Sequence, residues 1–388
     1  MPKRPLFIGN YVNSENTLNC QFQGKCGGCS WWNLSSQDQL HLKAQRAQDL
    51  WWQTFQEELE LQTHQAFSTQ GRDRIDLTYM NDAWGMFSLQ EKTLIPLSSC
   101  VLTVPALQKA HQEFIEIPLP PQITKASCRL RVSPLGDKGV WLDMANLDIK
   151  FLLEEAKYLK SLKEKNFLLE IGQKRKRLQL ETNTWKLKDH EAHPWTFTYS
   201  NGRALPLSGS IGSFTQSGPT AVLCISEIIE DFLKDTDPSM VRKKNCAEFG
   251  AGLGTLTAMA LPYFESIDIY EWDLQSIHFL QTNLKNWPHS CEVEFFHGDF
   301  RHQSLEKKNY DTLLLNPARS GMGNFLKDTP VQKSKQIIYM SCFFDSFVED
   351  AKVLRQQGYE LKKAHLVDQF PFSSHFEFLS SWKLSSEA

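Results

Sequence analysis

The C-terminal half of the chain alternates between short apolar runs and amphipathic stretches. The runs NCAEFGAGLG, SIDIYEW, CEVEFFHGD, YDTLLLNPA and KQIIYMSC have the length of buried strands, and AVLCISEIIEDFL and SFVEDAKVLRQQG have the period of helices. Strands that alternate with helices in this way are typical of a doubly wound, mostly parallel sheet. We therefore predict an α/β domain over residues 201–388.

The first 200 residues have a mixed pattern. Residues 37–61 carry helical periodicity, GRDRIDLTYM alternates as a strand does, and SCRLRVS and GVWLDMANLDI have the character of short strands. Leucines and charges at helical spacing predict one helix over residues 151–171. The sequence thus predicts an α+β domain over residues 1–200, with a boundary near residue 201.

The composition is that of a globular protein with little charge bias. Of 388 residues, 41% are hydrophobic and 22% are charged, and the net charge is -3. RNA or DNA binding would therefore need local basic patches. The start, MPKRPLFIGNYVNSEN, lacks the apolar stretch of a signal peptide, and no run is long enough to span a membrane. We expect a cytoplasmic protein, in which nine cysteines are not a disulfide framework.

A glycine-rich turn follows the first strand of the α/β domain. In AEFGAGLGTLT, Gly250, Gly252 and Gly254 let the backbone approach a ligand, although G-x-G-x-G differs from the dinucleotide motif. Glu271 ends the next strand, where a carboxylate can accept hydrogen bonds from ribose hydroxyls, and Asp299 ends the third strand, where an adenine edge would lie. The combination favours S-adenosylmethionine over NAD. An ordinary tight turn with two solvated acids is the alternative.

Two later strands end in residues suited to chemistry. One ends as LLLNPARSGMG, and the next ends as IIYMSC with Cys342. A cysteine at the carboxyl end of a strand lies in the crevice where ligands bind and can act as a nucleophile. From the residues alone, a structural cysteine is the alternative.

The motifs NPARSGMG, YMSC and DQFPFSSHFE, with SFTQSG upstream, resemble those of the RNA uracil-5-methyltransferases, which make 5-methyluridine in ribosomal and transfer RNA. The resemblance extends over residues 20–377. It implies that Cys342 is the nucleophile and Glu377 the general base. It also implies that S-adenosylmethionine is contacted by Gln216, Phe249, Glu271 and Asn316.

The reaction explains these residue types. The C5 carbon of uracil is too weak a nucleophile to take a methyl group, so a thiolate first adds to C6 and makes C5 enolate-like. Cys342 would supply the thiolate. After methyl transfer the C5 proton must leave, and the carboxylate of Glu377 can take it.

The chain departs from the family's pattern at several positions. The usual Ser-Cys-Asn-Pro reads Ser-Cys-Phe-Phe around Cys342, and Gly218 stands where an asparagine is expected. Glu248 replaces the usual aspartate before the glycine turn, and Asn316 replaces the aspartate of many members. Because the nucleophile and the base remain, the departures concern the substrate contacts.

Three cysteines lie close together in CQFQGKCGGCSWW, as C-x5-C-x2-C. Zinc sites usually use two C-x-x-C pairs, or one pair with two histidines, and one such pair is present here. A subset of the resembled family has this spacing with a distant fourth cysteine. The resemblance therefore implies a 4Fe-4S cluster held by Cys20, Cys26, Cys29 and Cys100. Zinc is the alternative.

The segment GQKRKRLQL is the strongest basic cluster, either an RNA contact or a solvated face.

Only 19 residues precede Cys20, so we expect no N-terminal RNA-binding barrel. The resemblance then favours the compact branch that modifies 23S ribosomal RNA. Transfer RNA as substrate and a non-catalytic RNA-binding relative are the alternatives. The expected protein is a monomer without a membrane partner, in which an α+β iron-sulfur and RNA-binding domain precedes a Rossmann-like methyltransferase domain.

Overall fold

The structure is a computed structural model of the chain. It describes residues 20–67, 70–144, 148–154, 156–234, 243–302, 309–328 and 334–385. Two eight-stranded sheets and one two-stranded sheet organise these residues.

The first part of the chain starts with a long helix and continues mainly as strands. Its elements are α1 (Ser36–Phe55), β1 (Gln62–Gln65), β2 (Arg74–Met80), β3 (Ala83–Phe87), β4 (Leu94–Pro96), α2 (Pro105–Ile115), β5 (Lys125–Val132), β6 (Lys138–Asp143), α3 (Ile149–Glu154), α4 (Ala156–Glu164), β7 (Phe167–Ile171), β8 (Lys176–Glu181) and β9 (Thr184–Lys188). Strands β2 to β9 form one sheet in the order β4-β3-β2-β5-β6-β7-β8-β9. Apolar side chains of α2, α3 and α4 pack on this sheet and form its core. The result is an α+β arrangement.

The single helix predicted over residues 151–171 is wrong. Helix α4 ends at Glu164, and FLLEI is the buried strand β7, which pairs in parallel with β6. Asn166 between them has a positive φ of 62°, which ends the helix. A short apolar run fits a strand and a buried helix equally well, so periodicity could not separate the two.

Two other predicted elements have different ends. The first helix stops at Phe55 and not at residue 61, because Gln56 adopts a left-handed conformation. The strand predicted from GVWLDMANLDI ends at Asp143, and α3 begins at Ile149. Residues 145–147 between them lie outside the described residues.

A hairpin, β10 (His193–Ser200) and β11 (Arg203–Gly209), separates the two large sheets along the chain. The predicted division into residues 1–200 and 201–388 passes through its turn. The division stays a prediction about the organisation of the chain, and segments of both parts pack together across it.

The second part of the chain alternates helices and strands, as predicted. Its elements are α5 (Pro219–Lys234), β12 (Lys243–Phe249), α6 (Thr255–Ala260), β13 (Phe264–Glu271), α7 (Leu274–Asn286), β14 (Glu292–His297), β15 (Thr312–Leu315), α8 (Phe325–Asp328), β16 (Gln336–Ser341), α9 (Phe344–Gln356), β17 (Tyr359–Asp368) and β18 (Glu377–Leu384). The sheet order is β1-β17-β18-β16-β15-β12-β13-β14. Strand β18 is antiparallel to both neighbours, and the other pairs are parallel.

Helices cover both faces of this sheet. One face packs against α5, α6, α7 and the β10–β11 hairpin, and the other packs against α1, α8 and α9. Because β12 has β13 on one side and β15 on the other, the chain reverses its winding direction there and leaves a crevice at the carboxyl ends of these strands. In the described ranges, no helix is long and apolar enough to cross a membrane.

Candidate active site

The glycine turn after β12 forms one wall of the crevice. Gly250 has a φ of 79° and Gly254 a φ of 95°, which glycine adopts without steric strain. A Cβ atom on Gly250 would lie 2.4 Å from the carbonyl oxygen of Asn316, and one on Gly254 would lie 2.2 Å from Leu280 Cδ1. Glycine at these positions therefore lets the turn contact the loop after β15 and helix α7.

Glu271 stands at the carboxyl end of β13 and contacts the glycine turn. Its Oε2 accepts a hydrogen bond of 2.9 Å from the amide of Gly252, and its Oε1 accepts one of 2.9 Å from the amide of Asp273. A carboxylate has about four lone-pair sites, so further acceptor capacity remains for ligand hydroxyls.

Glu248 lies beneath the same turn and is fully buried. Its Oε2 accepts a hydrogen bond of 2.6 Å from Thr257 Oγ1, and Oε1 has no hydrogen-bond partner among the described residues. Burial raises the pKa of Glu248 to about 7. The ionisation of this carboxyl is therefore sensitive to any charge that a ligand brings to the turn. Sequence reasoning noted Glu248 only as a departure from the family's pattern.

The remaining residues predicted for the cofactor differ in their placement. The ring of Phe249 is fully buried and stacks on Tyr270 at 4.7 Å, so only its backbone can face a ligand. Asn316 joins the glycine turn, because its amide donates to Phe249 O at 3.0 Å and its Nδ2 to Gly250 O at 3.4 Å. Asp299 lies just after β14 and forms an ion pair of 2.6 Å with Arg301.

Cys342 and Glu377 lie opposite each other at the ends of neighbouring strands. Ser341 at the end of β16 pairs with Phe378 in β18, and the strands are antiparallel, so the next residue of one faces the preceding residue of the other. Burial raises the pKa of Glu377 to about 8. Burial and the nearby Glu377 raise the pKa of the Cys342 thiol. The structure therefore brings together the predicted nucleophile and the predicted base.

Arg319 is a neighbour of Cys342 that sequence reasoning did not single out. Its guanidinium lowers the pKa of the Cys342 thiol and so opposes the effect of burial. The loop that carries it is held by Asp350 of α9, whose Oδ2 accepts hydrogen bonds from the amide of Met322 at 2.8 Å and from Tyr339 Oη at 2.5 Å. The motif NPARSGMG contains Arg319, but its position beside the thiol depends on this tertiary contact.

Gln369 links the predicted base to the predicted cofactor segment. Its Nε2 donates to Glu377 Oε2 at 2.9 Å and to Gln216 Oε1 at 2.7 Å. All three side chains are buried. Gln369 belongs to the motif DQFPFSSHFE, yet only the fold reveals that its amide lies between the two other residues.

Three arginines of the first sheet hold the loop that carries Gln216. Arg74 donates to the carbonyl of Thr215 at 2.6 Å, Arg131 donates to Thr215 Oγ1 at 2.5 Å, and Arg129 donates to the carbonyl of Gly212 at 2.9 Å. Arg131 is fully buried. These arginines connect the first sheet to the crevice of the second.

The four cysteines predicted as cluster ligands line one cavity of about 280 Å³. Arg72, Ser217, Phe370 and Phe372 contribute to its wall. Burial raises the pKa of Cys29 to about 12, an effect opposed by Arg72 and reinforced by the neighbouring thiols. The other cysteines outside the crevice, Cys128, Cys224, Cys246 and Cys291, do not line this cavity.

The cavity brings the four thiols to one space that is larger than a single ion. One water molecule occupies about 30 Å³, so a space of this size holds far more than one metal ion. Within the parts of the chain that the structure describes, no three cysteine, histidine or acidic side chains are grouped as a metal-ion site. Four thiols are the donor set of a 4Fe-4S cluster.

Two family models and several known proteins are similar to this chain. Residues 290–381 match the family model of tRNA (Uracil-5-)-methyltransferase, and residues 226–327 match that of the methyltransferase small domain. An uncharacterized RNA methyltransferase of Bdellovibrio bacteriovorus is 33% identical over 376 residues, which cover 94% of each chain. The 23S rRNA (uracil(1939)-C(5))-methyltransferase RlmD of Shewanella woodyi is 26% identical over 380 residues, which cover 94% of this chain and 82% of the relative.

A solved structure has a similar fold over most of the chain. It is the tRNA (uracil-54, C5)-methyltransferase of Pyrococcus abyssi in complex with S-adenosyl-L-homocysteine. The TM-score is 0.66 at 17% identity, with 92% of this chain and 86% of the other covered.

The chain belongs to the RNA uracil-5-methyltransferase family. It is an S-adenosylmethionine-dependent RNA (uracil-5-)-methyltransferase, as the motifs predicted.

Proposed function

We propose that this enzyme methylates C5 of a specific uridine in 23S ribosomal RNA through a covalent adduct between Cys342 and C6 of the uracil. Glu377 then removes the C5 proton. The observation that carries the proposal is the β16–β18 register, in which Ser341 pairs with Phe378, so that Cys342 follows and Glu377 precedes this pair on neighbouring strands.

The chain has a group for each step of this reaction. The Cys342 thiolate adds to C6, and the electron pair of the C5–C6 double bond becomes an enolate that attacks the methyl group of the sulfonium. S-adenosylhomocysteine leaves as a neutral thioether. Glu377 takes the C5 proton, the C–H electron pair restores the double bond, and the C6–sulfur bond breaks to return the thiolate. Arg319 favours the thiolate at the start and the end of this cycle.

We propose that S-adenosylmethionine binds along the crevice. Gly250 and Gly252 allow close backbone approach, and Glu271 retains acceptor capacity for ribose hydroxyls. Gln216 and Asn316 are polar groups on the facing loops. Phe249 would act through its backbone. Asp299 is already paired with Arg301, so an adenine contact there would compete with that ion pair.

We propose that the four-cysteine cavity holds a 4Fe-4S cluster through Cys20, Cys26, Cys29 and Cys100. Methyl transfer needs no electron, so the cluster would act as a structural anchor. The amide of Trp31, next to these cysteines, donates to the carbonyl of Phe372 at 2.9 Å. The segment that carries Cys20, Cys26 and Cys29 would therefore support the loop between β17 and β18.

The choice of 23S RNA rests on the RlmD relatives. The basic segment at residues 174–177 is a candidate RNA contact, because its ion pairs, Lys176 with Asp189 and Arg177 with Glu191, are exposed and weak. The Pyrococcus abyssi protein of similar fold is named a tRNA methyltransferase, so transfer RNA is the second candidate substrate.

The test uses methyl-labelled S-adenosylmethionine with 23S RNA and transfer RNA from cells that lack 5-methyluridine, followed by nucleoside analysis. Wild-type protein is compared with Cys342→Ala and with Cys224→Ala, a half-buried cysteine outside the site. We expect labelled 5-methyluridine in 23S RNA with wild type and Cys224→Ala and none with Cys342→Ala. Label in transfer RNA alone would identify transfer RNA as the substrate. Full activity of Cys342→Ala would exclude the covalent route.

A further inference from the structure

Gln369 has a fixed orientation between three polar groups. Its Oε1 accepts a hydrogen bond of 3.2 Å from the backbone amide of Ser217. A backbone N–H can only donate, so this contact identifies the oxygen end of the Gln369 amide. The NH2 end must then face Gln216 and Glu377.

Both hydrogens of this NH2 group have a partner. One points to Gln216 Oε1 at 2.7 Å and the other to Glu377 Oε2 at 2.9 Å. The Ser217 hydroxyl also donates to the carbonyl of Gln369 at 2.8 Å, which anchors the backbone. Gln369 is 1% exposed and Glu377 is 2% exposed, so these contacts are shielded from bulk solvent.

We propose that Gln369 is a positioning residue that orients the carboxyl of Glu377 and favours its ionised, proton-accepting form during removal of the C5 proton. The inference rests on the proposed function, because it takes Glu377 as the base. A fixed donor lowers the free energy of a buried carboxylate more than that of the protonated acid. Without it, burial alone would leave Glu377 protonated over a wider pH range.

The other charged and titratable groups near Glu377 come from separate elements. They are the Cys342 thiol at the end of β16, the Arg319 guanidinium of the loop after β15, the pair of Lys43 in α1 with Asp368 in β17, and His375, two residues before Glu377. The pKa of His375 is lowered by burial and by Arg319, Arg46 and Lys43. A Gln369→Met substitution keeps the length of the side chain, removes its donors and changes none of these groups. A change in the pH dependence can then be assigned to Gln369.

The experiment measures how fast the methylated covalent adduct is resolved in single turnovers over a range of pH. Wild type, Gln369→Met and Glu377→Gln are compared. The control is Gln336→Met, which removes another buried amide, one that donates to the carbonyl of Phe232 at 2.8 Å. Thermal unfolding of each variant shows that it is folded at the assay temperature.

We expect the midpoint of adduct resolution in Gln369→Met to rise by about one pH unit or more, since the lost hydrogen bond favours the ionised carboxylate of Glu377. Below the midpoint the adduct should resolve about tenfold more slowly for each pH unit by which the midpoint rises, and above the new midpoint the rate should recover. The Gln336→Met midpoint should match wild type.

An unchanged midpoint in Gln369→Met, or an equal loss of rate at every pH, would overturn the inference while the covalent mechanism stands. The proposed function fails in a different way. In that case wild type forms no adduct, or Glu377→Gln resolves the adduct at the wild-type rate.

Discussion

The ammonium group of Lys43 lies 2.6 Å from the carboxylate of Asp368, and both side chains are fully buried. Lys43 is in α1 and Asp368 ends β17, 325 residues further along the chain. Lys43 also donates to the carbonyl of Phe370 at 3.1 Å. The pair therefore fastens the N-terminal helix to the segment that contains Gln369 and leads to Glu377.

Replacing Lys43 by methionine should destabilise the fold by about 3–5 kcal/mol, because it leaves the Asp368 carboxylate buried without an opposite charge. The double variant Lys43→Met/Asp368→Leu should recover much of this loss. Urea unfolding of the wild type and the variants measures the difference. Equal destabilisation of the single and double variants would show that the ion pair is not the cause.

The cluster proposal predicts the metal content. Protein prepared without oxygen should contain about four irons per chain, and Cys100→Ser should lose most of this iron. Cys128→Ser is the matched control, since Cys128 is buried in the first sheet and does not line the cavity. Iron analysis and visible absorbance measure the outcome. Zinc in the wild type, or full iron in Cys100→Ser, would contradict the assignment.

Burial of Glu377 predicts a pH-dependent stability. Its pKa is about 8 in the folded protein and about 4.3 in an unfolded chain. Between these values the folded state keeps a proton that the unfolded state has released, so stability falls as the pH rises through this window. Glu377→Gln lacks this contribution.

The variant should therefore gain stability relative to wild type as the pH rises from about 4.3 to about 8, by at most about 5 kcal/mol, and the difference should level off above pH 8. Urea unfolding at several pH values follows the difference. A stability difference that does not change with pH would contradict the raised pKa.

The glycine turn predicts a selective loss of cofactor binding. In Gly250→Ala the new Cβ would meet the carbonyl of Asn316 at 2.4 Å, so the two loops of the crevice must separate. We expect affinity for S-adenosylhomocysteine to fall at least about tenfold, or 1.4 kcal/mol, by calorimetry. Gly202→Ala has a similar positive φ of 70° in open space and controls for backbone strain alone. If Gly250→Ala and wild type bound S-adenosylhomocysteine with equal affinity, the glycine turn would be excluded as a cofactor contact.

The sequence predicted the five strands β12 to β16 of the second sheet because each contains a short apolar run, which is longest in β15 (TLLL) and β16 (QIIYMS). Strand β1 has no such signal. Its residues QTHQ are polar and mostly exposed, and it joins the sheet only because α1 returns the chain beside β17. The position of β18 between β16 and β17 also depends on contacts that no local pattern contains.

The site shows the same division between local and tertiary information. Motifs identified Cys342 and Glu377, since their residue types carry the chemistry. The roles of Gln369 and Arg319 depend on which side chains the fold brings next to them. Gln369 meets Gln216 across 153 residues of sequence, a separation that no motif spacing describes.

The covalent route through Cys342 and Glu377 is the central claim. The most direct measurement incubates Glu377→Gln with S-adenosylmethionine and 23S RNA, isolates protein–RNA adducts under denaturing conditions and locates the attachment by mass spectrometry. We predict a stable adduct at Cys342 that carries the transferred methyl group, and none with Cys342→Ala/Glu377→Gln. Attachment at another residue, or 5-methyluridine formed by Cys342→Ala, would contradict the covalent route.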